Sequence, residues 1–369
     1  MYSDKDVALI IDLLKNKDIS GWFKNNEGGP YLQEFQGKFA EFCGTRYAFA
    51  VSSGSSSIYI GLRACGIGHG DYVAVPAYTH VGSVAPIVLA GAKPVFVDVD
   101  DYGNIDAQDL KRVAKRRKLR AVVVVHMLGM PCEMDSIKEA ISPATFIVED
   151  ASHALGAEYR GARTGSLGSV GCFSIGGGRT KTIGTGEGGM ITVNDEELAA
   201  RCKNIRNHGD RMTDVPYLCF NFRMSELNAL VGLVQMDRLG FFIDWQMDNA
   251  KYLIRNLPDC LEVLSPPSHV KTVFYLVGCL WRCLGMTREK FLTEVRERGF
   301  EGGIPRKNIG PGWSKLIYDM QYYRMYRKRC PNSELLRDKA VWFDWHRYPR
   351  TKEEIDEMLE AIKDILHAR

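Results

Sequence analysis

The chain has 369 residues, 45% of them hydrophobic, with 48 Lys and Arg against 45 Asp and Glu, a net charge of +3. That length predicts about two domains, each large enough for its own core. The near-balance of charge leaves no electrostatic footprint for nucleic acid, and no apolar run approaches the roughly 20 residues of a membrane helix. The ten cysteines include no C-x-x-C pair. Cys172, Cys202 and Cys219 sit among core-like residues, and Cys279 and Cys283 lie in an apolar stretch. Reduced, buried thiols are the expectation, with no zinc site and no disulfide framework. The charged start Met1-Tyr2-Ser3-Asp4-Lys5-Asp6 lacks the apolar core of a signal peptide, so a cytoplasmic location is expected.

From about 46 to 200, short β-type runs alternate with helical patterns. Tyr47–Val51 is a predicted strand, followed by a helix from near Ser55. Tyr72–Val75 ends at Pro76 and precedes a helix through Val84–Leu89; Pro94–Val99 is a third strand. The basic run Lys115-Arg116-Arg117-Lys118 closes a helix, where cations suit the dipole. Ala121–Val125 is nearly pure valine, as a strand buried on both faces should be. Phe146–Val148 runs into Glu149-Asp150, and Val170–Ile175 and Met190–Val193 flank a Gly-rich loop. The alternation predicts an α/β fold with a mostly parallel central sheet flanked by helices. Beyond residue 224 come helices at Ser225–Leu239 and Trp245–Leu257, a β-type stretch at Val273–Cys279, and helices at Arg288–Arg298 and Lys352–Leu366, the last capped by Thr351. This is a smaller α+β domain, and the division falls between 1–245 and 246–369.

In open α/β sheets, ligands sit beyond the carboxyl ends of strands, and four polar features fall there. Ser53-Gly54-Ser55 opens a helix whose free N–H groups and dipole suit an anion, although such a triplet often only turns and caps. Asp150 ends an apolar strand, where an acid must be paired or protonated; it could equally cap a helix. His80, in Pro76-Ala77-Tyr78-Thr79-His80, could stack on a flat ring. Lys181 follows Ser174 through Ile175-Gly176-Gly177-Gly178-Arg179-Thr180. A lysine amine, an acid for a pyridine nitrogen and donors for a phosphate are what pyridoxal phosphate requires. Two other motifs fail on context. Gly184-Thr185-Gly186-Glu187-Gly188-Gly189 matches a dinucleotide fingerprint but leads into a strand, where the fingerprint needs a helix. The segment Gly176–Thr182 lacks the glycine that must precede the lysine of a nucleotide phosphate loop.

With Gly29-Pro30, Glu34-Phe35, Gly91-Ala92-Lys93-Pro94-Val95-Phe96-Val97-Asp98, Glu149-Asp150-Ala151-Ser152-His153-Ala154-Leu155-Gly156-Ala157, Gly186-Glu187-Gly188-Gly189, Arg206-Asn207-His208-Gly209 and Asn221-Phe222-Arg223-Met224-Ser225-Glu226-Leu227, these residues stand in a specific order. Over about residues 25–260 the chain resembles the DegT/DnrJ-type sugar aminotransferases, pyridoxal-phosphate enzymes of the type I (aspartate aminotransferase) fold. The resemblance implies that Lys181 is the Schiff-base lysine and proton shuttle and that Asp150 holds the pyridine nitrogen. It places His153 at the ring hydroxyl, His80 where relatives stack an aromatic, and Gly54, Ser55 and Ser174 at the phosphate. Asn221 would reach the phosphate of a neighbouring subunit in a homodimer, and Arg223 the carboxylate of the amino donor. The implied reaction carries an amine from L-glutamate or L-glutamine to a keto-sugar, nucleotide-linked in the leading reading. A keto-cyclitol, sugar phosphate or free sugar acid is the alternative acceptor; a dehydratase of the same fold typically has histidine at the lysine position.

The chain also departs from the family pattern. Six residues separate Ser174 from Lys181, about two more than usual, which leaves the register of Ser174 open. Cys219 replaces a glycine. Glu301–Trp313 stands where relatives have a His-Tyr-Pro-type segment, and Arg306 and Lys307 there could meet an acidic acceptor or be ordinary surface charges.

Overall fold

The valine run lies in the middle of the molecule. In this computed structural model, which describes residues 2–16, 18–21, 28–176, 181–209, 219–300, 309–310, 316–344 and 351–367, two helices come first, α1 (Asp4–Asn16) and α2 (Pro30–Cys43). Then follow β1 (Tyr47–Val51), α3 (Gly54–Ala64), β2 (Tyr72–Pro76), α4 (Val81–Leu89), β3 (Lys93–Val97), α5 (Ala107–Arg116), β4 (Leu119–Val125), α6 (Met134–Ala140) and β5 (Phe146–Asp150). A hairpin, β6 (Glu158–Tyr159) and β7 (Ala162–Arg163), precedes β8 (Val170–Ser174), β9 (Gly189–Val193) and α7 (Glu196–Arg206). The central sheet has the order β1-β9-β8-β5-β4-β2-β3. Its pairs from β8 through β3 are parallel, and β9 pairs antiparallel with both β1 and β8. Val122, Val123 and Val124 are fully buried, because helices cover both faces of a parallel sheet. The expected mostly parallel α/β architecture is therefore what forms.

Local chemistry fixes the helix ends. Asp106 accepts the N–H groups of Gln108 and Asp109 at 2.6 and 2.9 Å and so starts α5, which ends on Lys115 and Arg116. Among the paired motif residues, Glu149 is buried and accepts three N–H groups, from Gly165, Leu167 and Gly168 at 2.7–2.8 Å, and faces His126 Nε2 at 3.0 Å. It holds the loop after the hairpin onto the end of the sheet.

The C-terminal part contains α8 (Glu226–Met236), α9 (Leu239–Asn256), β10 (Leu261–Glu262), β11 (Val270–Lys271), β12 (Leu276–Trp281), α10 (Arg288–Val295), β13 (Ile309–Gly310), α11 (Pro331–Lys339), β14 (Ala340–Asp344) and α12 (Lys352–His367). A second sheet runs β10-β12-β14-β13, and β11 joins the β6–β7 hairpin. Glu226 reaches back to accept the N–H groups of Tyr31 and Leu32 at the start of α2. Thr351 and Glu354 form the reciprocal cap expected for the last helix.

Residues 316–333 reach back to the central sheet, while α11 also packs against β12 and β14. Leu316, Ile317 and Tyr318 are buried in the core of the central sheet, with Tyr318 edge-on to Phe96. Ile317 N–H donates to the Ala77 carbonyl at 3.4 Å. Asp98 accepts the N–H groups of Asn332 and Ser333 and the Ser333 hydroxyl, at 3.0, 2.9 and 2.8 Å, and thereby caps α11.

The structure corrects the expectation for the cysteines. Cys260 and Cys283 form a disulfide. Pairing of Leu261 with Trp281 across β10 and β12 brings the residues just beyond those strands together, which spacing along the chain does not reveal. The other eight cysteines are not disulfide-bonded, and all are buried except the half-buried Cys219. No helix among the described residues is long and apolar enough to cross a membrane.

Candidate active site

A cavity of about 410 Å³, open to solvent, lies beyond the carboxyl ends of β2, β4, β5 and β8 and is lined by Gly54, Ser55, His80, Asp150, His153, Ser174 and Lys181. Sequence reasoning named all seven. Ser174 stands in the wall of this cavity, and Gly177, Gly178, Arg179 and Thr180 lie outside the described residues.

The first wall is the start of α3. Ser53 Oγ accepts the Ser56 N–H at 3.1 Å, and Ser56 Oγ accepts the Ser53 N–H at 2.9 Å, a reciprocal cap that fixes the turn. Gly54 is required by close approach: a Cβ there would lie 2.6 Å from the Ser174 Cβ. Gly189 does the same from below, since its Cβ would meet the Ser53 carbonyl oxygen at 2.2 Å. The helix N-terminus, the Ser55 hydroxyl and Ser174 together form a cradle sized by two missing methyl groups, and its donors match a phosphate dianion.

The floor is Asp150, buried at the end of β5. It accepts the Ser83 hydroxyl at 2.7 Å and the Ser152 N–H at 3.2 Å. Ser83 in turn lies 3.0 Å from the Thr79 hydroxyl. A buried carboxylate steadied from two sides is a suitable partner for a pyridinium N–H. His80 caps α4, its Nδ1 accepting the Gly82 N–H at 3.0 Å, and burial holds its imidazole below its usual range. The ring is thus neutral, with its proton on Nε2.

Lys181 donates from Nζ to the Ser152 carbonyl at 3.0 Å. Burial lowers its amine to about 8, against an upward pull from Asp150. The imidazole of His153 lies flat on the ring of Tyr275, with centroids 4.0 Å apart. The residues fit pyridoxal phosphate on chemistry and shape: an amine of lowered basicity, a buried acid and a phosphate cradle surround one space.

Two expected residues stand apart from this cavity within one chain. Asn221 is exposed and accepts the Arg223 N–H at 3.0 Å. Arg223 donates to Asn207 Oδ1 at 3.3 Å. Both belong to a segment that runs beside β1, where Ser52 N–H donates to the Phe222 carbonyl at 2.8 Å. Of the unusual segment Glu301–Trp313, only Ile309 and Gly310 are described, and Arg306 and Lys307 lie outside the described residues. The cavity also contains Ser83, Ser152, Glu187 and Tyr275, which sequence reasoning missed. Ser83 was within reach, because it lies in the first turn of a helix that starts beyond a strand end. Tyr275 carried no local signal.

The family model described as the DegT/DnrJ/EryC1/StrS aminotransferase family matches residues 5–363. The chain is 41% identical over 216 residues to a GDP-perosamine synthase of Caulobacter vibrioides, covering 57% of each protein, so the match spans little more than half of that relative's length. It is 34% identical over 268 residues to the GDP-perosamine synthase of Escherichia coli O157:H7, covering 71% of this chain and 72% of that protein. Among solved structures, an aminotransferase from Psychrobacter cryohalolentis superposes with a TM-score of 0.86 at 25% identity, over 100% of this chain and 98% of the other.

Proposed function

Because the chain belongs to the DegT/DnrJ/EryC1/StrS aminotransferase family, whose cofactor is pyridoxal phosphate, we propose that it carries the amino group of L-glutamate or L-glutamine to a nucleotide-linked keto-sugar in amino-sugar biosynthesis. The observation that carries the reading is the convergence of Lys181, Asp150 and the α3 N-terminus on one cavity. The nucleotide-linked acceptor is supported by the two GDP-perosamine synthases among the relatives.

Bound in this cavity, pyridoxal phosphate supplies an aldehyde for amine exchange and a ring that delocalises the electrons left by proton loss. The chain's own residues do the rest. The first-turn N–H groups of α3, with Ser55 and Ser174, bind the phosphate. Asp150 would keep a proton on the ring nitrogen, and His153 would approach the ring hydroxyl. With its amine lowered to about 8, Lys181 is about half neutral near pH 8, so its Nζ is ready both as a nucleophile and as a carrier of the proton. The donor leaves as a keto acid before the acceptor binds. Asn221 and Arg223, which lie outside the cavity of their own chain, fit a homodimer in which the 219–223 segment serves a neighbouring subunit, with Arg223 meeting the donor's carboxylate. The location is cytoplasmic in this reading.

The test is the visible absorbance of the purified protein with pyridoxal phosphate, before and after L-glutamate, beside Lys181→Ala. Bleaching by glutamate in the wild type, with the variant unable to complete the half-reaction, is the expected result. A wild type that binds no pyridoxal phosphate overturns the reading. One that binds it and ignores both glutamate and glutamine overturns the assigned donor and reaction.

A further inference from the structure

Among the described residues, the cofactor cavity takes one side chain from beyond residue 187, and that is Tyr275. The side chain is 9% exposed. Its ring lies against the His153 imidazole at 4.0 Å with the planes 10° apart. The Lys181 nitrogen sits 4.6 Å from the centroid of the same ring while it donates to the Ser152 carbonyl at 3.0 Å. One aromatic ring from the C-terminal part therefore touches both titratable side chains that the large sheet offers to the cofactor from this side.

The backbone behind Tyr275 is held at several points. The Thr272 hydroxyl and the Val273 N–H both donate to the Gly129 carbonyl, at 3.0 and 3.2 Å. Gln246, from α9, donates to the Val273 carbonyl at 2.5 Å. Gly129 must be glycine for this approach, since a Cβ there would lie 2.8 Å from the Tyr275 nitrogen. Phe274 stands at φ 46°, a left-handed conformation that side chains other than glycine seldom adopt. This turn sends two consecutive rings into two cavities. Phe274 lines a small apolar cavity of about 70 Å³ together with Leu276 and Trp342, and Tyr275 enters the cofactor site.

We propose that Tyr275 is a positioning residue of this site: its ring braces His153 face to face and gives the Lys181 amine a resting place, between the ring and the Ser152 carbonyl, whenever that amine is not bonded to the cofactor. The inference rests on the reading of Lys181 as the cofactor lysine. A ring face attracts an ammonium most strongly where water is excluded, so the ring supports the charged amine against the burial that lowers it. The other titratable groups around this amine in the cavity are His80, Asp150, His153 and Glu187. None of them replaces the ring face, and the ring needs no hydroxyl for either contact.

The experiment measures the Lys181 amine pKa in the full-length protein stripped of cofactor, by competitive acetylation and mass spectrometry across pH. Tyr275→Leu keeps the site apolar and removes the ring face, so the amine should fall by about one unit. Tyr275→Phe should leave it in place. An unchanged amine in Tyr275→Leu, or a fall in Tyr275→Phe as large as in Tyr275→Leu, overturns the proposal. If Tyr275→Leu does not fold, the wild type and Tyr275→Phe decide by histidine NMR. Both should show the His153 ring proton shifted upfield by the stacked ring, assigned with His153→Gln, and absence of that shift overturns the proposal. Reloading Lys181→Ala with pyridoxal phosphate separates the premise from the inference. If this variant still forms the yellow lysine-bound absorbance, Lys181 is not the cofactor lysine and the proposal falls with it. If only the Tyr275 measurements fail, Lys181 stands and Tyr275 does not.

Discussion

Adding one methyl group at Gly54 should damage the phosphate cradle and cost some stability. The new Cβ would stand 2.6 Å from the Ser174 Cβ and 3.1 Å from its Cα. Carbon atoms settle at about 3.5–4.0 Å, so Gly54→Ala must part the first turn of α3 from the end of β8 by about 1 Å. Backbone atoms are part of the obstacle, so a rotamer change does not relieve it. Overpacking of this kind costs roughly 1–3 kcal/mol of stability. The same displacement withdraws N–H donors from the phosphate, and a hydrogen bond to a charged group contributes about 1.5–3 kcal/mol. Affinity for pyridoxal phosphate should then fall about 10- to 150-fold. The assay is an absorbance titration with the cofactor, beside urea denaturation of the cofactor-free protein. Gly37→Ala serves as the control, because nothing lies within 4 Å of its Cβ position in α2; it should gain about 0.5–1 kcal/mol and bind the cofactor normally. If Gly54→Ala binds pyridoxal phosphate within twofold of the wild type, the start of α3 is not the cradle.

Asp150→Asn keeps the shape of the floor but removes its charge. Half-reactions with L-glutamate, followed by stopped-flow absorbance, should slow by about 100-fold or more, and the Lys181 amine should drop below its present value of about 8, since Asp150 pulls it upward; a normal rate contradicts the assignment. Lys181→Met tests linkage in the cofactor-free chain. The amine falls from 10.5 to about 8 on folding, so the unfolded chain binds more protons in that interval and the wild type gains stability as pH rises through it. The methionine variant should therefore be the more stable near neutral pH, with the gap closing towards pH 10 in urea titrations; a gap independent of pH speaks against a buried amine. Asp98→Ala strands the three donors of Asn332 and Ser333 and should cost about 2–3 kcal/mol in the same assay, whereas a loss below about 0.5 kcal/mol means that solvent replaces the cap.

The parts of the site that could be read from the sequence are those where chemistry and secondary structure coincide within a few residues. Asp150 ends an apolar strand, Gly54 opens a helix after another, and Lys181 follows a third. Each position announces itself by putting charge or glycine where a buried run stops. Boundaries that depend on distant contacts were less visible. The β-type stretch expected at Val273–Cys279 becomes strand only from Leu276, as β12 in the second sheet, while a separate short strand just before it, Val270–Lys271, pairs with Tyr159 and Glu158. The break comes from the left-handed Phe274 and the hold of Gly129 on Thr272 and Val273, neither of which leaves a mark on hydrophobic periodicity. Helix α9 begins at Leu239 rather than Trp245, because Leu239 and Ile243 are buried against the α2 side of the sheet, a burial decided by the partner surface. Tyr275 and the Cys260–Cys283 pair were out of reach for the same reason, since each is defined by what folds against it.

The return of residues 316–333 to the central sheet bears on how this protein can be cut and recombined. Expressing residues 1–245 alone would uncover Phe96 and the Ala77 carbonyl and leave Asp98 without the helix it caps, so the fragment should precipitate rather than give a free-standing cofactor-binding half. A chimera that borrows the C-terminal part of another family member must bring residues at 316–318 that fill the same hollow and a donor pair at 332–333. Sequence drift in those few positions would show up as misfolding, not as altered specificity.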